Sequence, residues 1–348
     1  MRQFNIPSIN HAFDSAIWDK IDNLNKPKGS LGQLEDIACQ ICQIQETLSP
    51  SLNHPCHILF GSDHGIEREG VSASPRAVTW QQMINFTQGG AGVNMFCRQH
   101  GFDLHIVDVG VDFDLSDYLQ ITNRKINKGT KNFLYEAAMS KDEFNRAIEI
   151  GCEMVDVCRQ KGCNILSIGE MGIANTSASS VWMSLLGNLP IKQCVGKGSG
   201  LSQTDIIKKQ QILNQAIIRF QESAQTITPV EIIRHFGGFE MVTAIGAILR
   251  AAETRTIIII DGFIMSACML AASLLYPEVR EYAIFGHCGN EEGHQKLLQQ
   301  MNAQPLLRLN LRLGEGTGAL CAYPIIESAV RMVNEMNNFQ DANIDKYF

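Results

Sequence analysis

Short apolar runs alternate along this chain with longer segments in which apolar residues recur at helical spacing. The short runs predict buried strands at Cys56–Phe60, Leu104–Val109, Asn164–Ile168, Ile257–Ile260, Tyr282–Phe285 and Leu306–Leu311. The helical spacing predicts helices at Thr79–Arg98, Lys141–Lys161, Ser177–Leu186, Gln203–Gln221, Phe239–Ala252, Phe263–Leu275 and Glu291–Met301. Strands that alternate with helices are typical of a parallel sheet that is covered on both faces.

The two ends of the chain carry helical patterns but no convincing strand. We therefore expect a small helical domain from residues 1–55 together with 319–348, and an α/β catalytic domain at 56–318. The fold class is thus α/β, with a Rossmann-like, mainly parallel six-stranded sheet flanked by helices. The apolar stretch Thr256–Tyr276 is long enough to span a bilayer, but Asp261-Gly262 interrupts it. It predicts a strand, a turn and a helix, and no membrane span.

Charge and cysteine content narrow the class of protein. The net charge is −7, and no run of Lys and Arg reaches four residues, which argues against nucleic acid or an anionic membrane as a partner. An anionic ligand must then be held by a local pocket. The eleven cysteines form no disulfide framework and no apolar signal precedes them, so the cytoplasm is expected. The Cys39-x-x-Cys42 pair lies in a helical pattern, where core or surface thiols are the simpler interpretation.

Glycine and polar residues follow every predicted strand. These segments are 61–65, 110–112, 169–176, 261–262, 286–289 and 314–318. In open α/β sheets, ligands bind outside the carboxyl ends of the strands. The repetition predicts a ligand crevice at one edge of the sheet.

Two carboxylates in these segments are candidates for chemistry. Glu315 lies between Gly314 and Gly316, where poor solvation would raise its pKa toward that of a general base. The competing interpretation is a solvated Glu in a glycine-rich turn. Glu170 ends a strand and has no evident structural role, whereas Asn175 beyond it is also a good helix cap.

A glycine-rich loop is a candidate phosphate site, although such loops are also plain flexible connectors. Its candidate residues are Gly196, Gly198 and Ser199, followed by Lys208 and Lys209 on the next predicted helix. The fingerprints of dinucleotide-binding, P-loop and serine-hydrolase enzymes are absent from the sequence. His287 and His294 could share a helix face, but no zinc spacing accompanies them, so no metal is expected.

Taken together, the motifs resemble one family, the nicotinate-nucleotide–dimethylbenzimidazole phosphoribosyltransferases of cobalamin lower-ligand assembly. The similar segments span most of the chain: 26–35, 63–66, 69–73, 82–83, 85–86, 89–94, 169–176, 237–240, 261–263 and 314–319. The resemblance implies transfer of phosphoribose from nicotinate mononucleotide to 5,6-dimethylbenzimidazole, without a cofactor, by a homodimer. The products are α-ribazole 5′-phosphate and nicotinate, with inversion at the sugar C1′.

The resemblance also implies roles for individual residues. Glu315 is the general base, and Glu170 and Gly172 line the nucleotide site. Lys208 or Lys209, with the loop at 196–200, holds the 5′-phosphate. The base pocket takes its wall from residues 72–86, with Gln82, Met83 and Phe86 as candidates. The whole expected substrate-binding set is Glu170, Gly172, Asn175, Gly196, Gly198, Ser199, Lys208, Lys209, Gln82, Met83, Phe86, Gly314 and Gly316.

Two positions depart from the family pattern. Lys28 stands where the family usually has a proline, and Gly289 stands where it usually has a serine. The second departure puts the details of phosphate contact in question. Two other functions stay open, namely the same transfer to another purine-like or phenolic acceptor, and a catalytically silent binder of nucleotide or base.

Overall fold

One parallel sheet organises the molecule. The computed structural model describes residues 1–198, 200–224 and 226–346, and six strands within them form the sheet. The strands are β1 (Cys56–Ser62), β2 (Asp103–Gly110), β3 (Ile121–Asn123), β4 (Ile165–Met171), β5 (Ile257–Ile260) and β6 (Ala283–Phe285). Every pair of neighbours is parallel. The predicted α/β class and parallel six-stranded sheet are confirmed.

Helices cover both faces of the sheet, and the central strands are accordingly apolar throughout. All four isoleucines of β5 are buried. The described helices are α1 (Asp14–Asn23), α2 (Gln33–Gln45), α3 (Val78–Thr87), α4 (Gly92–His100), α5 (Lys141–Gln160), α6 (Asn175–Leu186), α7 (Gln203–Ser223), α8 (Pro229–Phe236), α9 (Phe239–Glu253), α10 (Phe263–Leu275), α11 (His294–Gln300) and α12 (Thr317–Glu335). Among the described residues, none of these helices combines the length and apolar character that a bilayer crossing requires.

The strand order creates a crevice between β1 and β4. From β1 the sheet grows outward through β2 and β3 on one side, and through β4, β5 and β6 on the other. Such a reversal of strand order leaves room for a ligand at the carboxyl ends of the two central strands. The polar segments that follow β1 and β4 therefore lie at this point.

One predicted strand is wrong. Residues 306–311 form only an isolated bridge between Leu307 and His287, because Asn310 has a φ of +57° and interrupts the extended backbone. Leu309 is consequently half-exposed. The sixth strand is instead β3, which pairs with β2 and is only three residues long. A run that short gives no usable hydrophobic pattern.

The helix predicted at Thr79–Arg98 is also wrong, because it is two helices. The chain leaves α3 after Thr87, passes Gly89 with a φ of +75°, and starts α4 at Gly92. The buried Asn94 side chain fixes this break. Its Oδ1 accepts from the Ala91 N–H at 3.1 Å, and its Nδ2 donates to the Phe86 carbonyl at 2.9 Å.

The two ends of the chain pack together. Helix α2 contacts both α1 and α12. Backbone hydrogen bonds join Asn25 N–H to the Asn337 carbonyl at 2.8 Å and Phe339 N–H to the Asn23 carbonyl at 3.2 Å. This packing agrees with a helical unit made from both termini, and its exact boundaries stay a prediction.

Candidate active site

A cavity of about 360 Å³ opens at the carboxyl edge of the sheet. Its walls come from the ends of three neighbouring strands and from the loop before α12. The lining includes Glu170–Thr176 at the end of β4 and just beyond it, Asp261–Ile264 after β5, His287 and Gly289 after β6, and Leu311–Glu315 before α12. The predicted crevice therefore exists, and the two candidate carboxylates both face it.

Glu315 lies on the cavity wall in an unusual backbone conformation. Its φ is +62°, between Gly314 at +85° and Gly316 at +78°. The left-handed region costs a non-glycine residue about 1 kcal/mol or more. Three successive residues of this kind make a tight turn that delivers the Glu315 carboxylate into the cavity and starts α12.

The surroundings of Glu315 make its carboxylate a stronger base than usual. The residue is only 4% exposed, and its Oε2 accepts from the Val93 N–H at 3.1 Å, in the first turn of α4. Burial raises the pKa of Glu315, the Val93 N–H lowers it, and the negative Asp261 raises it further. The net pKa lies above the ordinary value for Glu. The break between α3 and α4 is what brings the Val93 amide to this carboxylate.

Glu170 shares the same wall and is held still more firmly. Its Oε2 accepts from Asn175 Nδ2 at 2.5 Å, and a side-chain carbon at residue 314 would lie only 2.7 Å from its Oε1. A side chain at residue 314 would therefore crowd this carboxylate, and the φ of +85° also favours glycine there. Burial raises the pKa of Glu170 to about 8, against the lowering effect of Asn175 and with help from the charges of Glu240 and Asp261.

A buried lysine lies behind the cavity wall, next to the lining residue Thr176. Lys209 Nζ, on α7, donates to Thr176 Oγ1 at 2.9 Å in the first turn of α6, and Gly198 packs against the same hydroxyl. Burial lowers the pKa of Lys209 to about 8, and nearby Glu291 raises it. A fixed cation, a hydroxyl and a helix N-terminus together suit an anion. Ser199 lies outside the described residues.

Other predicted site residues occupy different places. Lys208 is exposed, with its Nζ near Gly70 rather than at the cavity. Gln82 lines the cavity, whereas Met83 and Phe86 are fully buried behind its wall. Gly196 lies against Glu291 and Gly316 against His57. Gly172 lines the cavity and also packs on a buried pair, His64 Nε2 and Glu240 Oε1 at 2.5 Å.

Sequence reasoning missed several wall residues as site candidates. Asp261 lies at the end of β5, 3.4 Å from His287 Nε2, and its Oδ1 also accepts from the Ala319 N–H at 2.9 Å. Burial alone would raise the pKa of Asp261, but His287 and the backbone donors bring it below the usual range. Its position directly after a strand was the available signal. The sequence carries no such signal for Glu291, because only the tertiary fold brings Glu291 close to Lys209.

The two histidines considered for a metal have other partners. His294 Nε2 lies 3.0 Å from Ser266 Oγ, and its Nδ1 accepts from the Gly289 N–H at 2.9 Å. Both ring nitrogens are thus occupied, and burial lowers the pKa of His294 to about 3. The Gly289 amide, at the position that departs from the family pattern, is also engaged here. Lys28, the other departure, forms a surface ion pair with Asp22 at 2.6 Å.

Comparison with known proteins agrees with this geometry. A family model described as "Phosphoribosyltransferase" matches residues 6–344. The nicotinate-nucleotide–dimethylbenzimidazole phosphoribosyltransferase of Bacteroides fragilis is 56% identical over 348 residues, covering all of both chains. The Phocaeicola vulgatus protein of the same name is 54% identical, also over both full chains.

A solved structure extends the comparison to three dimensions. CobT from Thermus thermophilus has a TM-score of 0.92 and 34% identity, with 96% of this chain and 99% of that chain covered. Its fold is therefore the fold described above. Full-length identity above one half, a family model across the chain and a matching structure lead to one conclusion. This chain belongs to the nicotinate-nucleotide–dimethylbenzimidazole phosphoribosyltransferase family.

Proposed function

We propose that this protein transfers the phosphoribosyl group of nicotinate mononucleotide to 5,6-dimethylbenzimidazole, giving α-ribazole 5′-phosphate and nicotinate. The relatives that match over the full chain carry this activity in their names. The observation that carries the proposal is Glu315, a buried carboxylate of raised pKa on the wall of a cavity lined by a second carboxylate.

One proton transfer is sufficient for this reaction. The lone pair of one benzimidazole nitrogen attacks C1′ of the ribose, and the bond from C1′ to the pyridinium nitrogen breaks on the opposite face. Nicotinate leaves with that electron pair and needs no acid, because its nitrogen was quaternary. The other benzimidazole nitrogen must lose its proton, and Glu315 accepts it. General-base catalysis contributes roughly 10²–10⁴-fold, and alignment of the two rings about one carbon contributes further.

Glu170 is positioned to respond to the charge on the sugar. With a pKa of about 8 it is mostly protonated at neutral pH in the empty cavity. A cationic pyridinium, or positive charge developing at C1′, favours the ionised carboxylate. Glu170 therefore releases a proton when substrate binds and stabilises the sugar as nicotinate departs, while Asn175 keeps its carboxylate in place.

The 5′-phosphate is assigned to the end of the cavity lined by Thr176 and Gly198, next to Lys209. The phosphate would accept from Lys209 Nζ and from the Thr176 hydroxyl, with the N-terminus of α6 adding its partial positive charge. A phosphate dianion would also return the lowered pKa of Lys209 toward its ordinary value. For the benzimidazole we assign the opposite wall, where Gln82 supplies a polar group and Val78, Leu311 and Leu313 supply apolar ones.

Assembly and location complete the proposal. A homodimer is expected from the family resemblance, and the helical unit from both chain ends offers a surface for it. All eleven cysteines are free thiols, which supports a reducing compartment such as the cytoplasm. Light scattering that gave a monomer mass at micromolar concentration would overturn the dimer.

The test compares wild type with Glu315→Gln, which keeps the size of the side chain and removes its basicity. Wild type incubated with nicotinate mononucleotide and dimethylbenzimidazole should give α-ribazole phosphate and nicotinate, which chromatography separates. We expect the variant to be slower by about 10²–10⁴-fold, with nucleotide binding unchanged by calorimetry. Nicotinate release only with a purine or a phenol would keep the reaction and change the acceptor. Binding without turnover for any acceptor would overturn the enzymatic function.

A further inference from the structure

A cluster of thiols and imidazole lies at the edge of the sheet opposite the cavity. One ligand-type atom each from Cys56, His105 and Cys158 lies within 4.8 Å of both others. Cys56 is the first residue of β1, and the strand ends at Ser62. At about 3.3 Å per residue, the cluster is roughly 20 Å from the carboxyl edge, so the proposed reaction does not use it.

The sheet register brings the first two residues together. Cys56 pairs with Asp103 and Ile58 pairs with His105, so Cys56 and His105 are diagonal neighbours. Paired residues share a face, and so do residues two apart on one strand. Cys56 and His105 therefore point to the same face. Cys158, in the last turn of α5, reaches the cluster from the helix layer.

The three side chains of the cluster are largely buried, but solvent can reach one of them. Cys56 and Cys158 are almost completely buried, whereas His105 is half-buried and offers a path to solvent. The Nε2 of His105 is shielded from water and has no hydrogen-bond partner within the described structure. A buried ring nitrogen without a partner costs about 1–3 kcal/mol. An additional bond to this nitrogen would remove that cost.

We propose that Cys56, His105 and Cys158 bind one Zn²⁺ ion. Two thiolates and one imidazole are ligands that zinc prefers, with Zn–S near 2.3 Å and Zn–N near 2.0 Å. At those lengths tetrahedral ligand atoms are about 3.3–3.8 Å apart, which small rotations of these side chains can reach. Binding forms two Zn–S bonds and one Zn–N bond, and the two thiol protons pass to solvent.

Neighbouring groups are compatible with the ion. Two thiolates neutralise the zinc charge, and the nearby cation Lys161 is paired with Asp103 at 3.3 Å. The Cys163 thiol contacts that of Cys56 and donates to the Ile165 carbonyl at 3.1 Å. Cys163 or solvent can then occupy the fourth position. The site joins β1, β2 and α5, so its role is structural.

The test measures zinc itself. The intact chain is stripped with a chelator under reducing conditions, titrated with Zn²⁺ alone, and analysed by mass spectrometry for metal after gel filtration. We expect one equivalent per chain, release of two protons, and with Co²⁺ a thiolate charge-transfer band. His105→Gln and Cys158→Ser should each lower the affinity at least about tenfold, since loss of even a partner of a ligand has that effect.

Cys152→Ser is the matched control. Cys152 is equally buried on α5 but bonds to the Gly246 carbonyl, outside the cluster. It should bind zinc as the wild type does. His105→Gln tests the site even if Cys158→Ser misfolds, because His105 is half-buried. Wild type without stoichiometric zinc, unchanged affinity in both variants, or a Cys56–Cys158 disulfide with no zinc binding after reduction would each overturn the proposal.

Discussion

The pKa values of three ionisable side chains at or beside the cavity are shifted in the direction that favours the neutral forms. Burial raises the pKa of Glu315 and of Glu170, and it lowers that of Lys209. Burial thus makes the charged form of each group less favourable than it is in water. The proposed substrate brings a cationic ring and an anionic phosphate, and each would favour the charged form of the protein group beside it.

The pH dependence of the rate follows from Glu315. A general base must be deprotonated, so activity should be lost as pH falls through a pKa that is raised above the ordinary value for Glu. We expect the acid limb of log(kcat/KM) against pH to lie above that value. The residual rate of Glu315→Gln should lack this limb. An acid limb at the ordinary Glu pKa or lower would contradict the role of burial.

Glu170→Gln should make stability depend less on pH. The pKa of Glu170 is about 8 in the folded protein and 4.5 as an unperturbed group. Between these values the unfolded state has lost its proton and the folded state has kept it. The free energy of unfolding therefore falls as pH rises, by up to about 1.4 kcal/mol per pH unit. Below pH 4.5 this loss is absent, and above about 8 it is complete.

Urea unfolding of the ligand-free protein measures the effect. It is done at about pH 5 and at about pH 8, two values that span most of this range. From about pH 5 to about pH 8 the free energy of unfolding should fall less in the variant than in wild type. The Gln amide oxygen can still accept from Asn175. Glu222→Gln, at an exposed position on α7, is the matched control and should show the same fall as wild type. A difference between Glu170→Gln and wild type that stays constant with pH would show that Glu170 is ionised in the empty cavity.

At the scale of elements, the break between α3 and α4 positions Glu315, the proposed general base. Asn94→Ala leaves the Ala91 N–H buried without its partner and removes one donor from the Phe86 carbonyl, which still accepts from the Gly89 N–H. We expect a loss of about 1–3 kcal/mol in the free energy of unfolding. Because Val93 precedes Asn94 and donates to Glu315, kcat should also fall.

Chemical unfolding and initial rates check this pair of effects. Gln99→Ala, at an exposed position on the same helix, should change neither quantity. If Asn94→Ala lost stability but kept kcat, the Val93 amide would be positioned by something other than this cap.

The same elements show how far the sequence predicts the structure. Continuous apolar runs located five of the six strands, and the polar segment at the end of β4 located Glu170. Glu315 was located by its glycine cluster, although the strand predicted before it is absent. Leu306–Leu311 looked like a strand because a left-handed Asn310 leaves no mark in a hydrophobic pattern. Gly89-Gly90 was the available signal for the break between α3 and α4, but the predicted helix ran through it. The Asn94 bonds that fix the break connect groups that only folding brings together. The sequence does not tell which of Lys208 and Lys209 is the candidate phosphate ligand, because that depends on which face of α7 is buried.

At the scale of the molecule, α12 connects the cavity to the chain ends. It begins at Thr317 in the cavity wall and packs on α2. Nicotinate mononucleotide at about 100 times its Kd stabilises the folded state by about 2.7 kcal/mol. We expect slower hydrogen exchange in α12 and α2 as well as in the cavity loops, measured by mass spectrometry. Protection confined to the loops would mean that the terminal helices open independently.

The left-handed backbone at Glu315 has a consequence for protein engineering. Residues 314–316 form a turn that glycine or asparagine fits better than glutamate does, so Glu315→Gly should fold at least as stably as wild type. A library selected only for heat resistance would therefore drift toward inactive sequences at this position. Stabilised versions of this protein have to be chosen by turnover and thermal tolerance together, with residue 315 held fixed.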